Sequence, residues 1–241
     1  MPVALASFER AKLVTGAPVE LQRGPPKLRL AYRARPDCVG QFSFYLSRPG
    51  APIHLYPEAI RGLDIRSSNF YKDDGGQGQQ QQQQYLNCKV AIRDPVTLAA
   101  LREVQEEVLK QVAAGARQWW PEIDGNEDIE ATISRVASPI VDEEYMLRGE
   151  KCGMIRVNLP LSDTKGVKMF RGSLGADGRI RDDWKTREAE VTEIESGSRL
   201  AMVVTAELTC HPDALRFKLM ADVIIIVKGC LLYTSPSPRD S

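Results

Sequence analysis

The stretch DPVTLAALREVQEEVLKQVAAGARQWW (residues 94–120) is the one long segment whose pattern predicts an α-helix without ambiguity. Asp94 can accept hydrogen bonds from the free N–H groups of a first helical turn, and Pro95 suits the first helical position. Apolar residues then recur at three- and four-residue steps, which places them on one side of a helix. They are Leu98, Leu101, Val104, Val108 and Val112. Pro121 ends the pattern, so we predict one prominent helix over about 95–120.

Alternation of apolar and polar residues predicts strands on both sides of this helix. In residues 28–33, for example, two leucines and a tyrosine would face a core, while Arg29 and Arg33 would face solvent. The same reasoning gives strands at 41–46, 85–92, 154–159, 200–208 and 215–228, and short strands at 53–56, 131–136 and 191–194. A single helix cannot supply the crossovers of a βαβ fold. We therefore predict a mainly β protein, a barrel capped by one helix.

Breaks in these patterns suggest the domain organisation. Residues 1–27 are interrupted by Gly and Pro and are expected to form an N-terminal arm, with the barrel domain over 28–229. Within it, the glutamine-rich segment 72–84 is expected to be a mobile loop, because it can bury little apolar surface. The last twelve residues, CLLYTSPSPRDS (230–241), resemble the in-frame translation of a sequencing adaptor. We expect them to be an artefact that stands in place of the natural C-terminus.

The composition suits a protein with a substantial core and gives no sign of a membrane or secreted protein. The chain has 241 residues, of which 43% are hydrophobic, and its formal net charge is zero. Its five cysteines form no C-x-x-C pair, which favours reduced thiols in an intracellular protein. We find no secretory signal and no apolar run long enough to span a bilayer.

Residues for catalysis or for binding a metal are scarce. The chain has two histidines, His54 and His211, and only His211 with Asp213 has the H-x-D spacing of a non-haem iron site. That site needs a second histidine further along, and none follows. Phosphate-binding motifs of the P-loop or G-x-G-x-x-G type are absent from the sequence. We therefore predict no enzyme, no metal and no cofactor. An oxygenase-like jelly roll truncated before its second histidine is the least favoured alternative.

The distribution of charge is more informative than its total. Residues 1–36 carry a net charge of +5, residues 101–150 carry −7, and residues 151–187 carry +5. A neutral chain can therefore present a basic groove on its strands and an acidic side around its helix.

Aromatic residues accompany the predicted cations, a mixture typical of proteins that bind single strands, in which cations contact phosphates and rings stack on bases. Phe42 and Phe44 share one face of a strand and are more often core residues than stacking residues. Phe170 and Trp184 are better stacking candidates. Arg216 adds a cation to the strands, and the candidate nucleic-acid-binding residues that we select are Arg29, Arg33, Lys89, Arg156, Lys168, Phe170, Arg171, Trp184, Lys185 and Lys218.

The order of these segments resembles that of a known family. An aromatic strand at 41–45 is followed by a loop, a strand, the helix and an acidic linker. The segments at 138–140 and 154–160 (MIRVNLP) come next, and then VTEIESGS (191–198) leads into the strand at 200–208. This layout resembles the OB-fold single-stranded-DNA-binding proteins of large eukaryotic DNA viruses and, more distantly, those of T7-like phages. The resemblance implies an OB-like barrel, closed or partly open, over about residues 28–228.

The resemblance also implies a function: sequence-independent binding of single-stranded DNA during viral-type DNA replication and repair, coating and protecting exposed strands. Implied partners are single-stranded DNA and replication proteins that would contact a C-terminal tail, here missing. The implied location is intracellular, in the nucleus or a viral replication compartment. The alternative from another class is a β-rich structural or assembly protein of a virion, which would use the exposed aromatic residues and the 41–56 edge for subunit contacts.

Overall fold

The computed structural model describes residues 2–19, 26–47, 50–60, 64–72, 79–119, 128–160, 166–211 and 214–227; of residues 64–72, 79–85 and 211, the backbone alone is described. The strands are β1 Val3–Ala4, β2 Leu13–Val19, β3 Lys27–Arg35, β4 Cys38–Gln41, β5 Ser43–Tyr45, β6 Glu58–Ala59, β7 Asp64–Lys72, β8 Gln79–Ile92, β9 Ala137–Ser138, β10 Asp142–Leu147, β11 Glu150–Pro160, β12 Lys168–Arg171, β13 Arg199–His211 and β14 Ala214–Val227. The helices are α1 Pro95–Trp119 and α2 Ile129–Val136, and 3₁₀ helices lie at Leu5–Ser7, Arg10–Lys12, Ile53–Leu55, Asp182–Thr186 and Val191–Glu193.

Five strands close into a barrel. β6 pairs with β8, β8 with β11, β11 with β14, β14 with β13, and β13 returns to β6. All of these pairs are antiparallel except β11–β14. Numbered along the chain, the barrel strands follow the spatial order 1-2-3-5-4 and return to 1, which is the arrangement of an OB-fold. The predicted fold class is confirmed.

Alternation along the strands explains how the barrel acquires its core. In β11, Ile155, Val157 and Leu159 are fully buried, whereas Arg156 between them is exposed. Since successive side chains of a strand point to opposite faces, one side of each strand fills the barrel and the other faces outward. Five of the predicted strands lie within observed ones: 28–33 in β3, 85–92 in β8, 154–159 in β11, 200–208 in β13 and 215–228 in β14. Residue 228 itself falls outside the described residues.

Helix α1 forms as predicted. The Asp94 carboxylate accepts hydrogen bonds from the backbone N–H groups of Thr97, at 3.0 Å, and Val96, at 3.3 Å, and so satisfies donors of the first turn. The apolar stripe that includes Leu101 and Val108 is buried in the same core as the barrel strands. The helix also packs beside β2 and α2.

The predicted strand at 131–136 is wrong, because this segment belongs to α2. Ile129, Ile133 and Val136 are spaced for one side of a helix, and Ile133 is buried. The Asp128 carboxylate accepts a hydrogen bond from the N–H of Ala131 at 3.1 Å and caps the first turn.

The short strands predicted at 53–56 and 191–194 are also wrong. Both segments form 3₁₀ helices, closed by their own backbone hydrogen bonds rather than by pairing with a neighbouring strand. Each segment is too short for its pattern to separate a strand from a single turn.

The segment expected to be a loop at 72–84 differs from the prediction where it is described. Lys72 ends β7, and residues 79–84 pair with β7 as the first part of β8. Residues 73–78, and the adaptor-like residues 230–241, lie outside the described residues.

Within the predicted N-terminal arm, residues 2–19 pack on the barrel. β1 pairs with β5, β2 pairs with β3, and both Leu5 and Leu13 are buried in the core.

Candidate nucleic-acid interface

Four of the predicted cations lie side by side across neighbouring strands. Arg29 of β3 pairs with Glu207 of β13, and Glu207 pairs with Lys218 of β14. The parallel register of β14 and β11 places Lys218 beside Arg156, which in turn pairs with Lys89 of β8. We call Arg29, Glu207, Lys218, Arg156 and Lys89 the cationic row.

The cationic row lies on the outer surface of the barrel. Arg29 and Arg156 are exposed, and Lys89, Glu207 and Lys218 are half-buried. The residues next to them along the strands point inward, because side chains alternate across a strand. These buried neighbours are Leu28, Leu208, Leu219, Val157 and Cys88.

Charges within the row influence one another. The Nζ atom of Lys27, at the start of β3, lies 3.2 Å from the Glu207 carboxylate and donates a hydrogen bond to it. Burial lowers the pKa of Lys218, and the positive charge of Lys27 lowers it further, while Glu207 opposes the shift. One carboxylate therefore faces two lysines, and the row keeps an excess of positive charge that suits an anionic ligand.

A second row, of residues joined by hydrogen bonds, runs beside the cationic row on the same side of the sheet and includes the Asp222 carboxylate. Asn87 of β8 donates a hydrogen bond to Asn158 of β11 at 3.2 Å, and Asn158 pairs in register with Met220 of β14. On β13 the Thr205 hydroxyl lies 2.7 Å from Ser43 and donates to Asp222 at 2.6 Å. Asn87 and Thr205 are buried, so these hydrogen bonds satisfy polar groups between neighbouring strands and help to hold the sheet together.

The predicted stacking residues form a ring pair on the same surface. Phe170 of β12 pairs in register with Ile225 of β14, whose neighbours Ile224 and Ile226 point into the barrel. Phe170 and Trp184 are both half-buried, and their ring centroids lie 5.2 Å apart in an edge-to-face arrangement. The Nζ atom of Lys185 lies 5.7 Å from the centroid of the Trp184 ring.

The ring pair and the cationic row are separate parts of the surface. Lys218 of the row and Ile225 beside Phe170 are seven residues apart along β14, a separation of about 23 Å at the usual rise of a strand. Lys168 lies between them, because it pairs with Val223. A ligand that touches both parts must therefore be several nucleotides long.

Two other predicted residues lie away from the row. Arg171 points to the Glu193 carboxylate, to which its Nε and Nη2 atoms donate hydrogen bonds at 2.6 and 2.7 Å. This pairing raises the pKa of Arg171, with the hydrogen bond to Glu193 as the main cause. Arg33 is exposed near the β3–β4 turn, in register with Val39.

Phe42 and Phe44 are fully buried and belong to the core, as their position on one face of a strand suggested.

A cleft of about 880 Å³ opens beside the row, between α1, residues 138–144 and β14. Arg156, Arg216 and Phe217 line it together with acidic residues, so the cleft carries charges of both signs; the acidic residues are Glu106, Asp142, Glu143 and Glu144. Glu207 of the row and its ion-pair partner Lys27 are not among the residues selected from the sequence. The alternation along β3 and β13 indicates that both side chains point outward. It does not indicate which strands pair across the sheet, so their place beside the cations cannot be read from either strand alone.

Sites of other kinds are not found among the residues that the structure describes. In that part of the chain, no group of three His, Cys, Asp or Glu side chains could hold a metal ion. The described helices include none that is both long enough and apolar enough to cross a membrane. His54 is exposed within the Ile53–Leu55 helix, and the side chain of His211 is not described.

No protein-family model and no curated protein matches the chain. Solved structures do resemble it. The single-stranded DNA binding protein gp2.5 of bacteriophage T7 shares 12% identity, over 82% of this chain and 98% of that one, with a TM-score of 0.40. The C-terminally truncated single-stranded DNA-binding protein of bacteriophage Enc34 shares 8% identity, over 92% and 98% of the two chains, with a TM-score of 0.37. The Enc34 protein in complex with single-stranded DNA shares 6% identity, over 87% and 93%, with a TM-score of 0.33.

These structures include a T7-type phage protein of the kind that the sequence resembles distantly. TM-scores below 0.5 support neither a shared function nor shared site residues.

Proposed function

We propose that this protein binds single-stranded DNA without strong sequence preference, along the outer surface of β3, β13, β14, β11 and β8. The observation that carries the proposal is the cationic row, which places Arg29, Lys218, Arg156 and Lys89 side by side across five strands. A row of cations that crosses a sheet can contact successive phosphates of one backbone. Because phosphates are the same at every nucleotide, such contacts carry no sequence information.

The position of the row within the barrel supports the same function. In OB-folds, oligonucleotides bind across the face formed by the second and third barrel strands. In this barrel those strands are β8 and β11, which contribute Lys89 and Arg156. The half-buried rings of Phe170 and Trp184 provide π-faces further along the surface, and stacking of this kind needs bases that are free of a duplex.

A titration with oligo-dT at two salt concentrations tests the proposal, with tryptophan fluorescence as the signal. We expect binding that weakens as salt rises, because phosphate contacts release counterions. Replacing Arg156 by Gln should weaken binding about three- to tenfold and reduce the slope of log K against log[salt] by about 0.7. Arg135→Gln is the matched control, since Arg135 is an exposed arginine on α2. Absence of binding at low salt, or equal binding by the two variants, would refute the proposal.

The proposal extends to a role in viral-type DNA replication and repair, in the nucleus or a viral replication compartment, and to replication proteins as partners. The support for this extension is the order of sequence segments alone. The residues that would bear a recruiting tail lie beyond Val227, outside the described residues.

The alternative function is that of a β-rich structural or assembly protein of a virion. Sedimentation without nucleic acid separates the two functions, because a virion assembly protein would form a large closed assembly by itself.

A further inference from the structure

A buried carboxylate outside the cationic row is surrounded by three arginines. Glu58 lies in β6, the two-residue strand that closes the barrel, and is 2% exposed. Its Oε1 atom lies 2.6 Å from Nη2 of Arg148, and its Oε2 atom lies 3.2 Å from both Nη1 of Arg93 and Nη2 of Arg199. We call Arg93, Arg148 and Arg199 the arginine cluster.

The arginine cluster carries more positive charge than its acids neutralise. Glu58 supplies one negative charge, and Glu150, 3.3 Å from Nε of Arg93, supplies a second one that is 70% exposed and strongly screened by water. Burial lowers the pKa of Arg199; Glu58 opposes this shift, and the charges of Arg93 and Arg148 add to it. The three guanidinium groups therefore repel one another across a single shared carboxylate, and another anion would relieve the repulsion.

The cluster also holds hydrogen-bond donors that its described contacts do not use. Each guanidinium offers five N–H donors. Arg148 donates one described hydrogen bond, to Glu58, and its side chain is 67% exposed. The Nε atom of Arg93 is buried and lies 3.3 Å from the Glu150 carboxylate without making a hydrogen bond to the described residues. Planar guanidinium groups match the oxygens of a phosphate in pairs, so unused donors on neighbouring arginines suit this ligand.

We propose that the arginine cluster is a binding site for a phosphate group, with Arg148 as its accessible arginine. The phosphate oxygens accept hydrogen bonds from Arg148 and Arg93 on the solvent side, while Glu58 holds the guanidinium groups together from below. Arg93 follows Lys89 on the outward side of the chain after β8, four residues on and about 13 Å away. The phosphate can therefore belong to a nucleic-acid backbone that continues past the cationic row, or it can be free inorganic phosphate.

Titration with inorganic phosphate tests the site directly, with the unfolding temperature as the signal and sodium chloride at equal ionic strength as the salt control. We expect phosphate to raise the unfolding temperature more than chloride does, because a ligand of the folded state stabilises it. Arg148→Gln should weaken the apparent phosphate affinity about tenfold, while Arg135→Gln should leave it unchanged. Arg148→Gln keeps Glu58 paired with two arginines and should fold. Equal phosphate responses in wild type and Arg148→Gln would overturn the proposal.

A second variant distinguishes a binding site from a purely structural cluster. Glu58→Gln removes the central carboxylate and leaves three arginines without their shared partner, so the folded state should be less stable. Phosphate should then raise the unfolding temperature of Glu58→Gln more than that of wild type, because it relieves a larger repulsion among the three guanidinium groups. A structural cluster would give no such gain, and that result would also overturn the proposal.

Oligo-dT binding identifies the source of the phosphate. Weaker oligo-dT binding by Arg148→Gln, together with the lost phosphate response, assigns the site to a nucleic-acid backbone. Unchanged oligo-dT binding with a lost phosphate response assigns it to free phosphate. Arg148 is not part of the cationic row, so Arg156→Gln tests the proposed function separately, and either proposal can fail without the other.

Discussion

Glu207 is the acidic residue in the middle of the cationic row, and replacing it by Gln should tighten binding of single-stranded DNA. Its carboxylate lies 3.2 Å from Nζ of Lys27 and pairs across the sheet with Lys218. A phosphate bound by either lysine must compete with this carboxylate and lies close to its charge. Glu207→Gln removes both effects and keeps the size and shape of the side chain.

The size of the effect follows from the geometry. Adjacent strands are about 4.8 Å apart, so a phosphate on Lys27 or Lys218 would lie roughly 6 Å from the Glu207 carboxylate. Two unit charges at that distance repel by about 0.7 kcal/mol in water, and by several times more at the lower effective dielectric of a protein surface. After screening by salt we expect about 1 kcal/mol, or roughly fivefold tighter binding. One lysine released for a phosphate contact should also steepen the salt slope by about 0.7.

The assay is a titration of wild type and variant with fluorescently labelled oligo-dT, followed by anisotropy, at several salt concentrations. Glu9→Gln is the matched control: it also removes a carboxylate paired with a lysine, here Lys12 at 2.6 Å, but lies outside the row. If both variants tighten binding equally, overall charge explains the result and the local reasoning is refuted. Weaker or unchanged binding by Glu207→Gln would refute it as well.

Three further predictions concern stability and thiol reactivity. Leu101→Ala should lower the free energy of unfolding by about 2–5 kcal/mol in urea denaturation, because Leu101 is fully buried where α1 joins the core. Asp94→Ala should cost about 0.5–2 kcal/mol in the same measurement, through loss of the α1 cap, and Asp94→Asn should restore most of it. Under native conditions at pH 8, a thiol reagent mapped by mass spectrometry should modify exposed Cys38 and spare Cys88, since burial raises the pKa of Cys88 to about 12; equal labelling would contradict that burial.

Local pattern was sufficient for much of the fold. The helix at 95–120 and the strands at 28–33 and 154–159 each carry a periodic signal several residues long, supported by a cap or by strict alternation. The segment at 131–136 has a signal that is ambiguous, because Ile133 and Val136 fit a helical spacing when Ile129 is included. A pattern that begins two residues earlier changes the prediction from strand to helix.

The candidate site could be predicted only as a set of residue types. Arg29, Lys89, Arg156 and Lys218 stand out as cations on the outward side of predicted strands, but the sequence does not say which strands are neighbours. Their alignment depends on the parallel pairing of β11 with β14, two strands more than fifty residues apart in the chain. Glu207 was overlooked for the same reason, because its relevance comes from facing cations across the sheet.

The chain's overall neutrality is compatible with a cationic surface because the topology separates its charges. Acidic residues of α1 pair with basic residues elsewhere; Glu103 and Glu106, for example, both pair with Arg10. Such pairs cancel charge in the total and lie outside the cationic row. A net charge of zero is therefore no argument against a polyanionic ligand when the register of a sheet, rather than composition, decides which charges share a surface.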